Sequence, residues 1–174
     1  MASGNFKNCL SFTLSREGGY SNNPHDPGGA TMNGIIQVEY DSWRKAKGLA
    51  LRPVRIIDAS ERDEIYFEQY WQPLKCGDLP QGVDLMVFDY GVNSGIGRSA
   101  KQLQKLVGAA PVDGHIGLVT LGKVRGVNDV KGLINSLASA RLSFLHALGN
   151  WKYFGTGWRN RVVACQMQAL KMMQ

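Results

Sequence analysis

Residues 16–31 read REGGYSNNPHDPGGAT, and the reading of this stretch decides the fold. Upstream of it, Phe6, Cys9, Leu10 and Leu14 recur at helical spacing, so a first helix is expected from about Asn5, which can cap it. Gly18 and Gly19 stop that helix. The glycines and prolines beyond them allow loop only, with a short irregular hairpin around Ala30 to Ile35. Counting back from Glu17, Leu14 is three residues away, Leu10 seven and Phe6 eleven, which puts the carboxyl on the apolar stripe of the helix. A glutamate so placed points inward. Partial burial and the negative end of the helix dipole both disfavour its charged form, and a carboxyl that keeps its proton near neutral pH can serve as a general acid.

Outward from this point helical periodicity dominates and strand alternation is scarce, so the chain is read as mainly α. A second helix fits Gln37 to Lys47 with Tyr40 and Trp43 inward. A third follows Asp58 and holds Ile65, Tyr66 and Tyr70 until Pro73. A fourth spans about Gln81 to Asn93 with Leu85, Phe88 and Val92 on one face, and a fifth carries Ala100, Leu103 and Val107 up to Gly108. Residues 118–125 form a short helix, residues 128–148 a long one, and a final helix runs from about Trp158 to Met172. No internal repeat or low-complexity linker interrupts the pattern. One soft boundary lies near Gly95 to Arg98.

The chain has 174 residues, of which 44% are hydrophobic and 20% charged, enough to bury a core as one globule. No run approaches the roughly 18 to 20 apolar residues of a membrane span. The first residues, MASGNFKNCLSF, lack the basic lead and apolar core of a secretory signal. Cys9, Cys76 and Cys165 are odd in number and widely spaced, which argues for reduced, buried thiols rather than a disulfide framework or a zinc site. A net charge of +6 favours an anionic partner. The basic residues are scattered in ones and twos, so nucleic acid is not the expected one. His25, His115 and His146 share no metal-ligand spacing, and no metal or other cofactor is expected.

Asp26 follows Glu17 by nine residues and Thr31 by fourteen, on a glycine-rich segment able to fold back over the helix end. An acid, a carboxylate and a hydroxyl around one cleft suit cleavage of a glycosidic bond. The buried acid protonates the leaving oxygen, and the other carboxylate stabilises positive charge or positions water.

The blocks EGGY, DPGGAT and NGI at residues 17–35 resemble the N-acetylmuramidases of glycoside hydrolase family 108, a lysozyme-like group. YWQPLKCGDLP with VFDYGVNSG, at residues 70–95, resembles that family's second block. LQKLVGAAPVDGHIG with WKYFGTGWRNRV resembles the peptidoglycan-binding region commonly attached to it. The resemblance implies a mainly α, lysozyme-like helical fold, with a catalytic region over residues 6–95 and a C-terminal helical region over 96–172 packed as one globule. It also implies cleavage of the β-1,4 bond between N-acetylmuramic acid and N-acetylglucosamine.

By position, Glu17 matches the family's catalytic glutamate and Asp26 the aspartate of its DPGG segment, and the order Glu17, Asp26, Thr31 is similar to the triad of phage lysozymes. The sequence departs from these patterns where the Asp26 to Thr31 gap is one residue shorter than in the phage enzymes, and where Ile36 replaces the Thr or Ser frequent in the family. Either Thr31 supplies the hydroxyl, or Asp26 orients water alone. Asn93 is expected to bind substrate through its amide or to cap a helix. Asp89, one turn earlier, is expected beside it among the substrate-binding residues, or orienting a neighbour by hydrogen bonding. Tyr20, in the loop after Glu17, offers a flat surface to a sugar ring, whereas Tyr70 reads as core.

The expected partner is thus a peptidoglycan glycan strand, met by a monomer with no membrane-spanning segment. The protein would be made in the cytoplasm and act in the periplasm or cell wall after release or non-standard export. The alternative is a cell-wall-binding or scaffolding protein that keeps the fold without turnover.

Overall fold

The computed structural model describes residues 4–22 and 29–174. Among them are eight α-helices and one two-stranded sheet: α1 Phe6–Leu14, β1 Thr31–Met32, β2 Ile35–Ile36, α2 Gln37–Ala46, α3 Ala59–Tyr66, α4 Val83–Ser94, α5 Ile96–Val107, α6 Leu118–Arg125, α7 Val130–His146 and α8 Trp151–Met172. No helix of the described residues is long and apolar enough to cross a membrane.

Helix α4 organises the rest. Its run VDLMVFDYG is buried on every side, not on the single face expected, because α1, α5, α7 and α8 all pack against it. A helix apolar all round belongs in the centre of a bundle. Gly82 at its start has φ +85°, and a Cβ there would stand 2.5 Å from the carbonyl oxygen of Ala169, so glycine allows the end of α8 to close onto α4. Phe6, Trp71 and Phe88 meet edge to face at 5.4–6.1 Å and join α1 to α4. All three cysteines are free and buried, and burial pushes the Cys9 thiol up. They are packing residues.

Several boundaries differ from the sequence reading. Asn5 makes no capping bond in α1, since its side chain donates to Asp84 Oδ2 at 3.0 Å. Asp58 leaves the start of α3 uncapped and pairs with Arg52 at 2.6 Å. The continuation to Pro73 is not α-helical but contains a π-helical turn over Phe67–Trp71. Helix α8 starts seven residues before the expected Trp158. Its Gly155 costs about 1 kcal/mol of helix propensity, but the Trp151 ring occupies the space a Cβ would need, 2.6 Å away, so packing offsets the cost. The hairpin is regular rather than irregular. Thr31 pairs with Ile36 and Met32 with Ile35, across a two-residue turn in which Asn33 has φ 50° and Gly34 φ 81°. Asn-Gly with both residues left-handed is the preferred turn for such a hairpin.

Candidate active site

Helix α1 stops at Leu14, and two tight turns follow it. The Arg16 amide donates to Thr13 O at 2.9 Å and the Glu17 amide to Leu14 O at 3.2 Å. Glu17 therefore hangs just beyond the helix, still over its apolar side, with its side chain 19% exposed. Gly34 of the hairpin turn lies against it. A Cβ on Gly34 would be 3.2 Å from Glu17 Oε2 and 2.9 Å from the Tyr66 hydroxyl, so the turn needs glycine for its close approach as well as for its φ. The Tyr66 hydroxyl donates to Asn33 O at 2.6 Å and ties the turn to α3. Thr31 and Ser21 exchange backbone hydrogen bonds of 2.8 and 2.9 Å, which bring the loop after Glu17 alongside the hairpin.

The other wall comes from the long helices. Arg161 of α8 reaches Glu17 Oε1 through Nη1 at 2.8 Å. Its Nη2 and Nε donate to Oδ1 and Oδ2 of Asp89, at 2.8 and 3.2 Å. This is a bidentate fork, which fixes the guanidinium plane. Asp89 is 0% exposed and also accepts from Arg141 Nη1 at 2.8 Å and from the Thr13 hydroxyl at 3.1 Å. Arg141 continues to Asn93, donating to its Oδ1 at 3.1 Å. Five side chains thus run in one chain: Glu17, Arg161, Asp89, Arg141, Asn93.

The charges in this chain support one another. Burial opposes ionisation of Asp89, but Arg141 and Arg161 outweigh it and hold the carboxyl below its usual range. Burial likewise works against the charge of Arg161, and Asp89 followed by Glu17 more than restores it. Around the cleft, burial and then the Glu17 charge push the Tyr66 hydroxyl up. Tyr70 is pushed up to about 12 by burial, then by Glu39 and Glu17. Both tyrosines remain protonated donors. Burial also raises the Glu39 carboxyl, opposed by a hydrogen bond from the Ile36 backbone.

Of the residues singled out in sequence, Glu17 lies against Gly34 of the hairpin turn, and Thr31 opens the first strand of the hairpin. The Thr31 hydroxyl itself faces Gly29 O at 3.4 Å. Tyr20 is 45% exposed. Asn93 is exposed in the last turn of α4 rather than at its cap, which is Gly95. Its carbonyl oxygen is taken by Arg141 and Ser94, so its amide N–H groups remain for a ligand. Asp26 and His25 lie outside the described residues. Asp89 requires a correction as a substrate-binding residue: it has no exposed surface, and both its oxygens are occupied by arginines and Thr13. Its contacts are to Arg161, Arg141 and Thr13, and two of them hold the Arg161 guanidinium in place. Sequence reasoning missed Arg161, Arg141 and Tyr66.

The family model of glycosyl hydrolase 108 matches residues 10–95. Among curated protein sequences nothing matches the chain. The solved structure of Brucella abortus SagA is similar with a TM-score of 0.83 and 37% sequence identity, over 98% of this chain and 97% of that one. With its mainly α, lysozyme-like fold, the chain belongs to glycosyl hydrolase family 108 and is a glycoside hydrolase of the peptidoglycan-degrading kind.

Proposed function

We propose that the protein cleaves the β-1,4 bond between N-acetylmuramic acid and N-acetylglucosamine, with Glu17 as general acid. One observation carries this reading: the Glu17 side chain is sheltered, 19% exposed, with Oε1 fixed by Arg161, while Oε2 faces the hairpin turn. Donation from Oε2 to the glycosidic oxygen leaves a carboxylate whose other oxygen already touches a guanidinium, so the charge formed in the transition state meets a preorganised cation. Arg161 cannot swing away, because Asp89 grips it with two hydrogen bonds. Asp26 is the second carboxylate, which stabilises the positive charge that develops on the sugar ring or positions the attacking water. The Thr31 hydroxyl orients that water, and Asn93 donates its amide protons to an acyl or hydroxyl oxygen of the glycan. Tyr20 lies against a sugar ring.

The test is mass spectrometry of digested peptidoglycan. Fragments with reducing muramic acid ends are expected. Reducing glucosamine ends would replace the assignment with a glucosaminidase, and freed stem peptides with an amidase.

A further inference from the structure

A concave feature lies between α5 and α7. It is a groove of about 870 Å³ whose lining includes Arg98, Lys101 and Lys105 of α5 with Ala140 and Phe144 of α7. The three cations stand at positions i, i+3 and i+7, one face of a helix, and span about 10 Å at the helical rise of 1.5 Å per residue. All three are exposed, and among the described residues no carboxylate lines the groove. Among the described residues none of the three takes part in an ion pair. Arg98 is held in place, its guanidinium 4.2 Å over the Phe144 ring and its Nη1 donating to Ser94 O at 2.7 Å. The floor is Tyr90, a buried residue whose hydroxyl has no hydrogen-bond partner among the described residues.

The groove does not end at Arg98. Arg98 and Phe144 also line a smaller depression of about 240 Å³ that includes Asn93 and Trp158. The surface therefore runs from Asn93, the exposed end of the Glu17 to Asn93 chain, past the Arg98–Phe144 stack to Lys105. Its chemistry is three cations, one of them held by Phe144 and Ser94, spread over about 10 Å above an apolar floor of alanine and aromatic rings. A ligand with separate carboxylates joined by methyl-bearing backbone complements both features. A compact, strongly hydrated phosphate would use the charge and waste the floor.

We propose that this groove binds the peptide stem of the peptidoglycan, a short peptide of alanine and dicarboxylic residues, while its glycan lies in the Glu17 cleft. The inference rests on the peptidoglycan reading and extends it to a specificity site. Lys101 and Lys105 meet the stem carboxylates, and Arg98 with Phe144 forms the saddle over which the stem leaves the glycan.

Two measurements test it. The first is a nitrogen-15 NMR titration of the Glu17→Gln protein with isolated stem pentapeptide, which needs no turnover. Shifts are expected at Gly97, Lys101, Gln102 and Ala140, and Lys101→Glu with Lys105→Glu should weaken binding about tenfold, as two exposed charge pairs become repulsions. The second compares the KM of the active protein for glycan strands carrying stems with that for strands stripped by an amidase. The preference for stem-bearing strands should fall by a similar factor in the double variant. Unchanged affinity for stems with amidated carboxyls would overturn the proposal. So would shifts produced by poly(glycerol phosphate) and not by the stem. Stem binding in the groove by a protein that degrades neither kind of strand would defeat the glycosidase reading and leave the groove standing. Degradation of both with the same KM would do the reverse.

Discussion

The two walls of the cleft are built from different material. Glu17 hangs from the end of a nine-residue helix, and its neighbours are a turn and strands of two residues each. Arg161 stands on a helix of 22 residues, packed against a 17-residue helix and braced by a buried aspartate. The loop wall supplies the groups proposed to meet the glycan: Glu17, Tyr20 and Thr31. The helical wall supplies fixed charge, with Asp89 and Arg141 at 0% and 1% side-chain exposure. A site divided in this way separates chemistry from position. Changes on the loop wall should cost turnover before stability, and changes on the helical wall should do the opposite.

The largest effect tests the loop wall. Glu17→Gln keeps an oxygen for Arg161 but has no proton to give, so hydrolysis should fall by about 10³-fold or more. The lost ion pair is partly exposed, and stability should change by less than about 1 kcal/mol. Turnover and urea unfolding measured on one preparation check both halves. Near-normal hydrolysis would remove Glu17 from the chemistry and erase the contrast between the walls.

Asp89→Asn tests the helical wall. It leaves two buried guanidiniums without their shared carboxylate, and the cost of an uncompensated buried charge is about 3–5 kcal/mol. The pH dependence carries a sign. The folded carboxyl of Asp89 is held below its ordinary value of 3.8, so its contribution is fully present above that value and is lost as pH falls through it toward the lower folded pKa. The gap in unfolding free energy between wild type and Asp89→Asn should therefore be widest near neutrality and shrink on acidification below about pH 4. A gap independent of pH would show that the charge is not what Asp89 contributes.

The same division explains what the sequence discloses. Local periodicity puts Glu17 at the end of an apolar helix, although α1 stops at Leu14 and two tight turns carry the carboxyl from there. The helices themselves are legible for the same reason, save where packing overrides a local signal. The last helix is expected only from about Trp158, yet α8 already contains Gly155, whose missing side chain leaves room for the Trp151 ring. Arg161 is not legible as a partner of Glu17, since 144 residues separate them and no periodic rule spans such a distance. A hint does exist. Asp89 stands alone in MVFDYGV and Arg141 alone in LASARLSFL, and a lone charge in an apolar helical run must find its opposite in the core. The hairpin turn fell between these cases. Asn-Gly is a strong local signal, but that it touches Glu17 is a tertiary fact.

The smallest effect asks how tightly the loop wall is set. Gly34→Ala places a methyl 2.9 Å from the Tyr66 hydroxyl and 3.2 Å from Glu17 Oε2, at φ +81°. The left-handed backbone alone costs about 1–2 kcal/mol for an L-residue. The Tyr66 hydroxyl, tied to Asn33 O by a 2.6 Å hydrogen bond, and the Glu17 carboxyl must both shift. Gly48→Ala is the matched control: its φ is +69° and nothing lies within 4 Å of the added carbon. Gly48→Ala should lose about 1–2 kcal/mol in unfolding experiments, and Gly34→Ala more, because of its clashes. Only Gly34→Ala should lose activity as well, by about tenfold and in kcat rather than KM, because a displaced acid costs transition-state contact without weakening the hold on the glycan. Equal activity in the two would mean that Glu17 finds its place without the turn, and that position, like charge, is set by the helical wall alone.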